Sequence, residues 1–255
     1  NIKIYILILI VFIFSISYYL KSVSRSGFYG GLIMGILITM YGGWVYVFPL
    51  GLFFILSSIL GKIVKELSFQ KVYREKRDII QVYANGGICL LLCIISFFLD
   101  SHVLILPMFL ASVASATADT WGTEFGKISK KLPISIITFK TVEHGMSGGI
   151  TVIGTIGSFI GATIISLASW LLLQISIKIS IAITLIGFVS AILDSILGAI
   201  AQAKFETQNG EIIENQISGA NLISGYKWID NNMVNLLNTL IAPIIMFLYL
   251  TIFNL

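Results

Sequence analysis

Charge is what this sequence has least of. Only 11% of its 255 residues are charged, while 57% are hydrophobic. Soluble domains carry about 25% charged residues, so the composition excludes a soluble globular protein and leaves an integral membrane one. Histidine and cysteine are nearly absent, at 2 residues each. No arrangement of serine, histidine and acid stands out for nucleophilic catalysis. Cys89 and Cys93, spaced i, i+4 in an apolar run, are too few for a structural zinc site, and a disulfide would need suitable geometry. Plain lipid- or core-facing thiols are the simpler reading. No low-complexity segment occurs, and the glycine clusters at 27–43 and 145–161 do not align as a repeat. The net charge of +4 fits membrane orientation better than a nucleic-acid partner.

What the chain has in abundance is apolar length. Runs stand out at approximately 4–20, 27–42, 44–60, 79–99, 103–118, 147–173, 179–203 and 234–253. A membrane-spanning helix needs roughly 20 such residues. The reading is therefore an all-α, polytopic helical bundle of about eight transmembrane helices, with seven as the alternative, forming a single membrane domain over 1–255. The first run is too long and too aromatic for a signal-peptide core and lacks a clear cleavage site, so it is expected to remain as a helix. The second, third and fifth runs are short or glycine-rich and are expected to be tilted, broken or re-entrant.

Eight crossings put the loops 21–26, 61–78, 119–146 and 204–233 on one side. They carry 2, 6, 4 and 2 of the lysines and arginines, 14 of 16 in all, and only Lys3 and Lys178 fall opposite. The positive-inside rule makes the richer side cytoplasmic and places both termini outside.

The polar residues crowd onto that same side in four clusters. In the first, SATADTWGTEFGK ends an apolar run, and TFKTVEHGMSGG opens the next. Carboxylates such as Asp119, Glu124 and Glu143 can hold a hard cation such as magnesium. Lys127, Lys130, Lys131 and Lys140 can meet phosphates, with His144 a weak addition. The glycines of HGMSGG let backbone N–H groups approach an anion at a helix start. A connecting loop with interfacial charges and packing glycines is the alternative. Asp119 and Glu124 lie about 140° apart on a regular helix, so they share a face only if Gly122 breaks it.

The second cluster is Asp194, inside an apolar helix. A charged aspartate near the bilayer centre costs roughly 2.5–3.5 kcal/mol and usually faces the bundle interior at a site. Gly198 and Gln202 continue its stripe at i+4 and i+8; a structural hydrogen-bonding aspartate is the alternative. The third, SGYKWIDNNMVNLLNTL, offers Asp230, Asn232, Asn235 and Asn238 as helix caps and packing groups or as the wall of a polar cavity. The fourth, REKRDIIQVYANGG, joins basic residues that can meet lipid headgroups to Gln81 and Asn85 on one helix face. An interhelical hydrogen bond serves equally for that pair. If the four clusters converge, they make a metal–phosphate site at the cytoplasmic boundary.

Six elements resemble one known family in order from about 24 to 240: SRSG, RDIIQVYANGG, ADTWGTEFG, TFKTVEHGMSGG, DSILGAIAQ and NNMVNLLNT. This is the transmembrane protein 19 family, which includes phytyl-phosphate kinases. Asp119, Gly126, Lys140, Thr141, Glu143, Gly148 and Gly149 also resemble a pattern of dolichol and phytol kinases and phosphatidate cytidylyltransferases. It departs at His144, where those enzymes tend to have glycine, and the lysine–arginine pair that follows the later aspartate of the cytidylyltransferases is absent.

The resemblance implies phosphoryl transfer from CTP or another NTP to an isoprenyl monophosphate in the bilayer, with Mg2+ as cofactor. It gives Asp119 and Asp194 to the metal, and names both with Lys140 as catalytic. Lys140, Thr141, Glu143, Gly145, Gly148 and Gly149 would bind nucleotide. Arg77, Gln81 and Asn85 would hold the acceptor phosphate, and Glu124, Asp230, Asn232 and Asn235 would complete the polar cavity. A cytidylyltransferase making a CDP-lipid is the alternative within enzymes, and a lipid or ion-coupled transporter is the alternative of another class.

Overall fold

The computed structural model describes residues 2–68 and 76–254. Lys71 and Arg74, two of the cations counted in the loop 61–78, lie outside the described residues. Eight α-helices follow one another: α1 Ile2–Tyr19, α2 Arg25–Tyr41, α3 Trp44–Leu67, α4 Ile79–Leu99, α5 His102–Gly126, α6 Val152–Leu173, α7 Ile177–Ile200 and α8 Asn231–Ile252. All but α2, which spans 17 residues, are long and apolar enough to cross a membrane. The chain is a polytopic helical membrane protein.

Two expectations about these helices are corrected. The third and fifth runs are neither short nor broken. They are continuous helices of 24 and 25 residues that pass a proline near their starts, Pro49 and Pro107. Gly122 does not interrupt α5 either. A Cβ there would stand 2.1 Å from Ser158 Oγ, so the glycine lets α6 lie close against α5 while the helix runs on. The segments 61–67 and 119–126, read as loop, therefore belong to helices.

Helix α5 is the axis of the bundle and packs against α3, α4, α6, α7 and α8. Its residues from Ala111 to Ala118 are all buried. They are alanine, serine, threonine and valine, the small side chains through which membrane helices approach closely without a hydrophobic drive between them. Polar cross-links join α5 to its neighbours: Ser112 Oγ donates to the Thr239 carbonyl at 2.8 Å, and Trp121 Nε1 to Ser57 Oγ at 3.2 Å. Cys89 and Cys93 are free, buried thiols.

The connections at one end are knitted to each other. Residues 22–24 pair with Arg77, whose carbonyl accepts from Ser24 N–H and whose N–H donates to the Ser22 carbonyl. Ser24 caps α2 and Asp78 caps α4 through their side chains. Two small sheets were not expected. Strands β1 (Ile134–Ser135) and β2 (Gly149–Ile150) pair antiparallel, and β3 (Lys204–Glu206) lies between β4 (Ile212–Ile213) and β5 (Asn221–Ser224).

Candidate functional site

A cavity of about 710 Å³ opens at this knitted end. Helix α5 contributes Asp119 and Thr123, α7 contributes Asp194, Ser195 and Gly198, and the start of α8 contributes Asn231 and Asn232. The loop His144–Gly149 and the first turn of α6 close the remaining side. Thr151 caps α6 by accepting from Gly154 N–H at 3.0 Å, so that helix presents its N-terminus to the cavity, where anions are favoured.

Asp119 and Asp194 face each other from α5 and α7, their carboxyl groups within hydrogen-bonding reach. Asp194 is 9% exposed. Its Oδ1 has no hydrogen-bond partner, and the same is true of Ser190 Oγ one turn deeper and Asn238 Oδ1 on α8. Unsatisfied buried polar atoms are rare and call for a reason, of which an ion or water is one. The donor chemistry suits magnesium, which is usually bound by one or two carboxylates plus water and substrate phosphates. Among the described residues no third His, Cys, Asp or Glu joins the pair, and that open mode asks for none.

The loop is seated by its glycines. Gly148 has φ +79°, and a Cβ on it would stand 2.3 Å from Ala199 Cβ and 3.0 Å from the Ser195 carbonyl. Only glycine serves there, on both conformation and space. On the outer side the loop is held by a turn in which Ser135 N–H donates to the Lys140 carbonyl at 2.8 Å and Ile134 bridges Thr141.

Against the sequence-based expectations, the cavity gathers Asp119, Gly145, Gly148, Gly149, Gln81, Asp194, Asp230 and Asn232. It does not gather Lys140, Thr141 and Glu143, whose side chains are exposed on the outer turn. Glu124 stays off the lining because α5 continues as a helix, and it pairs instead with Lys127 at 2.9 Å. Asn235 lies within α8 beyond the lining.

A second, smaller cavity of about 230 Å³ lies between α1, α2, α3 and α4. It is almost wholly apolar, with Ile10, Phe14, Met34 and Phe53 among its walls, but Arg77, Gln81, Asn85 and Thr120 give it a polar end. Gln81 borders both cavities. Arg77 donates to Ser58 Oγ at 3.3 Å and lies 5.8 Å from the Phe54 ring centroid.

Among the charged lining residues, the sequence reading takes Lys127 only as one of four lysines that can meet phosphates, and does not single out Glu214 at all. Lys127 belonged to the dense polar stretch, but nothing in its spacing set it apart from Lys130 or Lys131. Glu214 lines the cavity although it follows β4, far along the chain. Its neighbours Glu206 and Glu211 look the same in sequence, and only tertiary pairing distinguishes it.

The signature described as "Integral membrane protein DUF92" matches residues 8–243. An uncharacterised membrane protein of Methanocaldococcus jannaschii is 33% identical over 72% of this chain and 76% of its own. Protein PGR of Arabidopsis thaliana is 30% identical over 89% of this chain and 88% of its own. Protein VTE6, chloroplastic, of the same plant is 22% identical over 93% of this chain and 68% of its own. No solved structure matches. The chain belongs to this DUF92 family of integral membrane proteins, to which its ordered motifs already pointed.

Proposed function

We propose that the chain is a membrane-embedded lipid-phosphate kinase, transferring the terminal phosphoryl group of CTP or another NTP to an isoprenyl-type monophosphate. The observation that carries this reading is the junction at Gln81. There an apolar groove with a cationic, amide-lined end abuts a polar cavity holding two facing carboxylates. A lipid monophosphate has the complementary form, with its tail in the groove and its phosphate at Arg77, Gln81 and Asn85. A nucleotide entering the polar cavity would bring its phosphates to the α6 N-terminus, the glycine loop and Lys127.

Asp119 and Asp194 would hold magnesium, which when bound neutralises and orients phosphate oxygens. The residues then have little covalent work. An acceptor phosphate oxygen is already ionised, so no general base is needed. It attacks the γ-phosphorus in line, the bond from that phosphorus to the β-bridging oxygen breaks, and the nucleoside diphosphate leaves while the lipid becomes a diphosphate. Positioning and charge neutralisation supply the rate. The positive-inside count supports a cytoplasmic orientation for this end.

The test uses purified protein in nanodiscs with magnesium, γ-labelled CTP and geranylgeranyl or phytyl phosphate. Labelled lipid diphosphate together with CDP is the expected product. A CDP-lipid with pyrophosphate would replace this reading by cytidylyl transfer, and nucleotide-independent lipid movement by carriage.

A further inference from the structure

Glu214 is the one acidic side chain that enters the polar cavity from the β3–β5 excursion between α7 and α8, and its partners are specific. One carboxylate oxygen accepts from Ser147 N–H at 2.7 Å, and the other accepts from Ser147 Oγ at 2.7 Å and Gln202 Nε2 at 2.8 Å. Bonds to a carboxylate at such distances are about twice as strong as neutral ones. Ser147 sits in the glycine loop. Gln202, 3% exposed, lies just past the end of α7, on the stripe that begins with Asp194 and passes through Gly198. Gly198 leaves room for the loop: a Cβ there would stand 3.2 Å from Ser147 Cβ.

The excursion that delivers Glu214 is itself anchored. Phe205 of β3 is buried, Tyr226 N–H donates to the Ala201 carbonyl, and Ala203 N–H donates to the Ile229 carbonyl. The carboxylate is thus presented by a fixed base.

We propose that Glu214 is a positioning residue for the nucleotide half of the site, fastening the glycine loop to the end of α7. The consequence for phosphate binding rests on the kinase reading above, whereas the clamp rests on geometry alone. Through it the loop's backbone is held opposite the Asp119–Asp194 pair before any ligand arrives. Preorganised donors of this kind need no rearrangement when charge is brought to them.

The full-length chain in nanodiscs provides the test, in two arms. Hydrogen exchange in peptides covering 144–151 reads the clamp without activity. Glu214→Ala should speed exchange at Ser147 by on the order of tenfold. Glu214→Gln should stay near the wild-type rate, because its amide oxygen still accepts from Ser147 N–H. In the second arm, magnesium–CTP is titrated at saturating lipid phosphate, and lipid phosphate at saturating magnesium–CTP. Glu214→Ala should raise the nucleotide KM roughly tenfold with the lipid KM unmoved, and Glu214→Gln should restore most of the loss. Unchanged exchange in Glu214→Ala overturns the proposal. So does tighter nucleotide binding, which would make the carboxylate a competitor for the loop, and so does an equal rise in both KM values, which would mean a general structural role. Should the wild-type chain turn over no nucleotide, the kinase reading falls and the exchange arm alone decides the clamp.

Discussion

The polar cavity is walled by α5 and α7, the most enclosed helices of the bundle, while the apolar groove borrows a wall from α1, the least enclosed. Each cavity touches Gln81, yet they are held differently. Around the carboxylates the contacts are short and specific: a capped helix start, a loop glycine, Gly148, that admits no Cβ, and a carboxylate clamp. Around the groove they are side-chain packing, such as the Phe14–Phe54 stack at 4.8 Å between ring centroids, and α1 packs chiefly on α2. Chemistry on phosphates needs placement to fractions of an ångström, whereas an apolar tail is bound by area, which is not directional. Under the proposed kinase reading the difference in construction would follow the difference in demand, and substitutions can test whether the two halves are separable.

The largest effect should come from the carboxylates. Asp194→Asn keeps the shape and removes the charge that would hold the metal, so turnover should drop by on the order of 10³-fold. Binding of a fluorescent lipid phosphate should remain close to wild type. Asp119→Asn should behave alike, and because the pair would hold one metal the double variant should be little worse than either single one. Loss of lipid binding in these variants would erase the division between the cavities.

A smaller loss is expected at Gly148. Alanine there needs a left-handed conformation, which costs about 1–3 kcal/mol, and meets Ala199 and the Ser195 carbonyl. The loop should lift away from α7, raising the nucleotide KM more than tenfold while the lipid KM holds. Thermal unfolding in nanodiscs checks that the bundle persists. A parallel rise in lipid KM would show the halves to be one unit.

On the groove side the informative position is Gly51, which lines the wall and whose added Cβ meets nothing within 4 Å. Leucine there fills tail space without displacing backbone. Excluding about two buried methylenes at roughly 0.8 kcal/mol each should raise the KM for a long-tailed lipid phosphate about tenfold. A short-tailed analogue and the nucleotide should be unaffected. Equal effects on long and short tails would remove the groove as the tail site.

The same contrast explains what could be read from the sequence. The polar motifs between the apolar runs pointed to a polar end, and apolar length gave eight helices, because the bilayer imposes that pattern directly. Asp194 was conspicuous for the same reason: a carboxylate in an apolar helix is costly wherever it points. Helix continuity through Gly122 was not legible, since the glycine's reason is the neighbouring Ser158 and not the local chain. Neither were β1–β5, which are two to four residues each and too short for a period to emerge. Glu214 was invisible because its meaning lies in partners 67 and 12 residues away.

The two lysines that flank the loop give the smallest effect, at Lys140, and the sharpest distinction within the polar half. Lys127 lines the cavity, and its half-buried ammonium is paired with Glu124 at the rim. Lys140, given a catalytic role by resemblance, projects from the outer turn, and its backbone carbonyl is occupied by Ser135 N–H. A solvated cation contributes on the order of 0.2–1 kcal/mol to a charge pair. Lys140→Ala should therefore raise the nucleotide KM no more than about threefold, and raised salt should mask the change. Lys127→Ala, losing a half-buried charge, should raise it roughly tenfold and stay visible at high salt. The reverse order, with Lys140 the costlier loss, would mean that nucleotide draws the outer turn inward. The polar half would then be completed by ligand and would share some of the pliancy of the apolar groove.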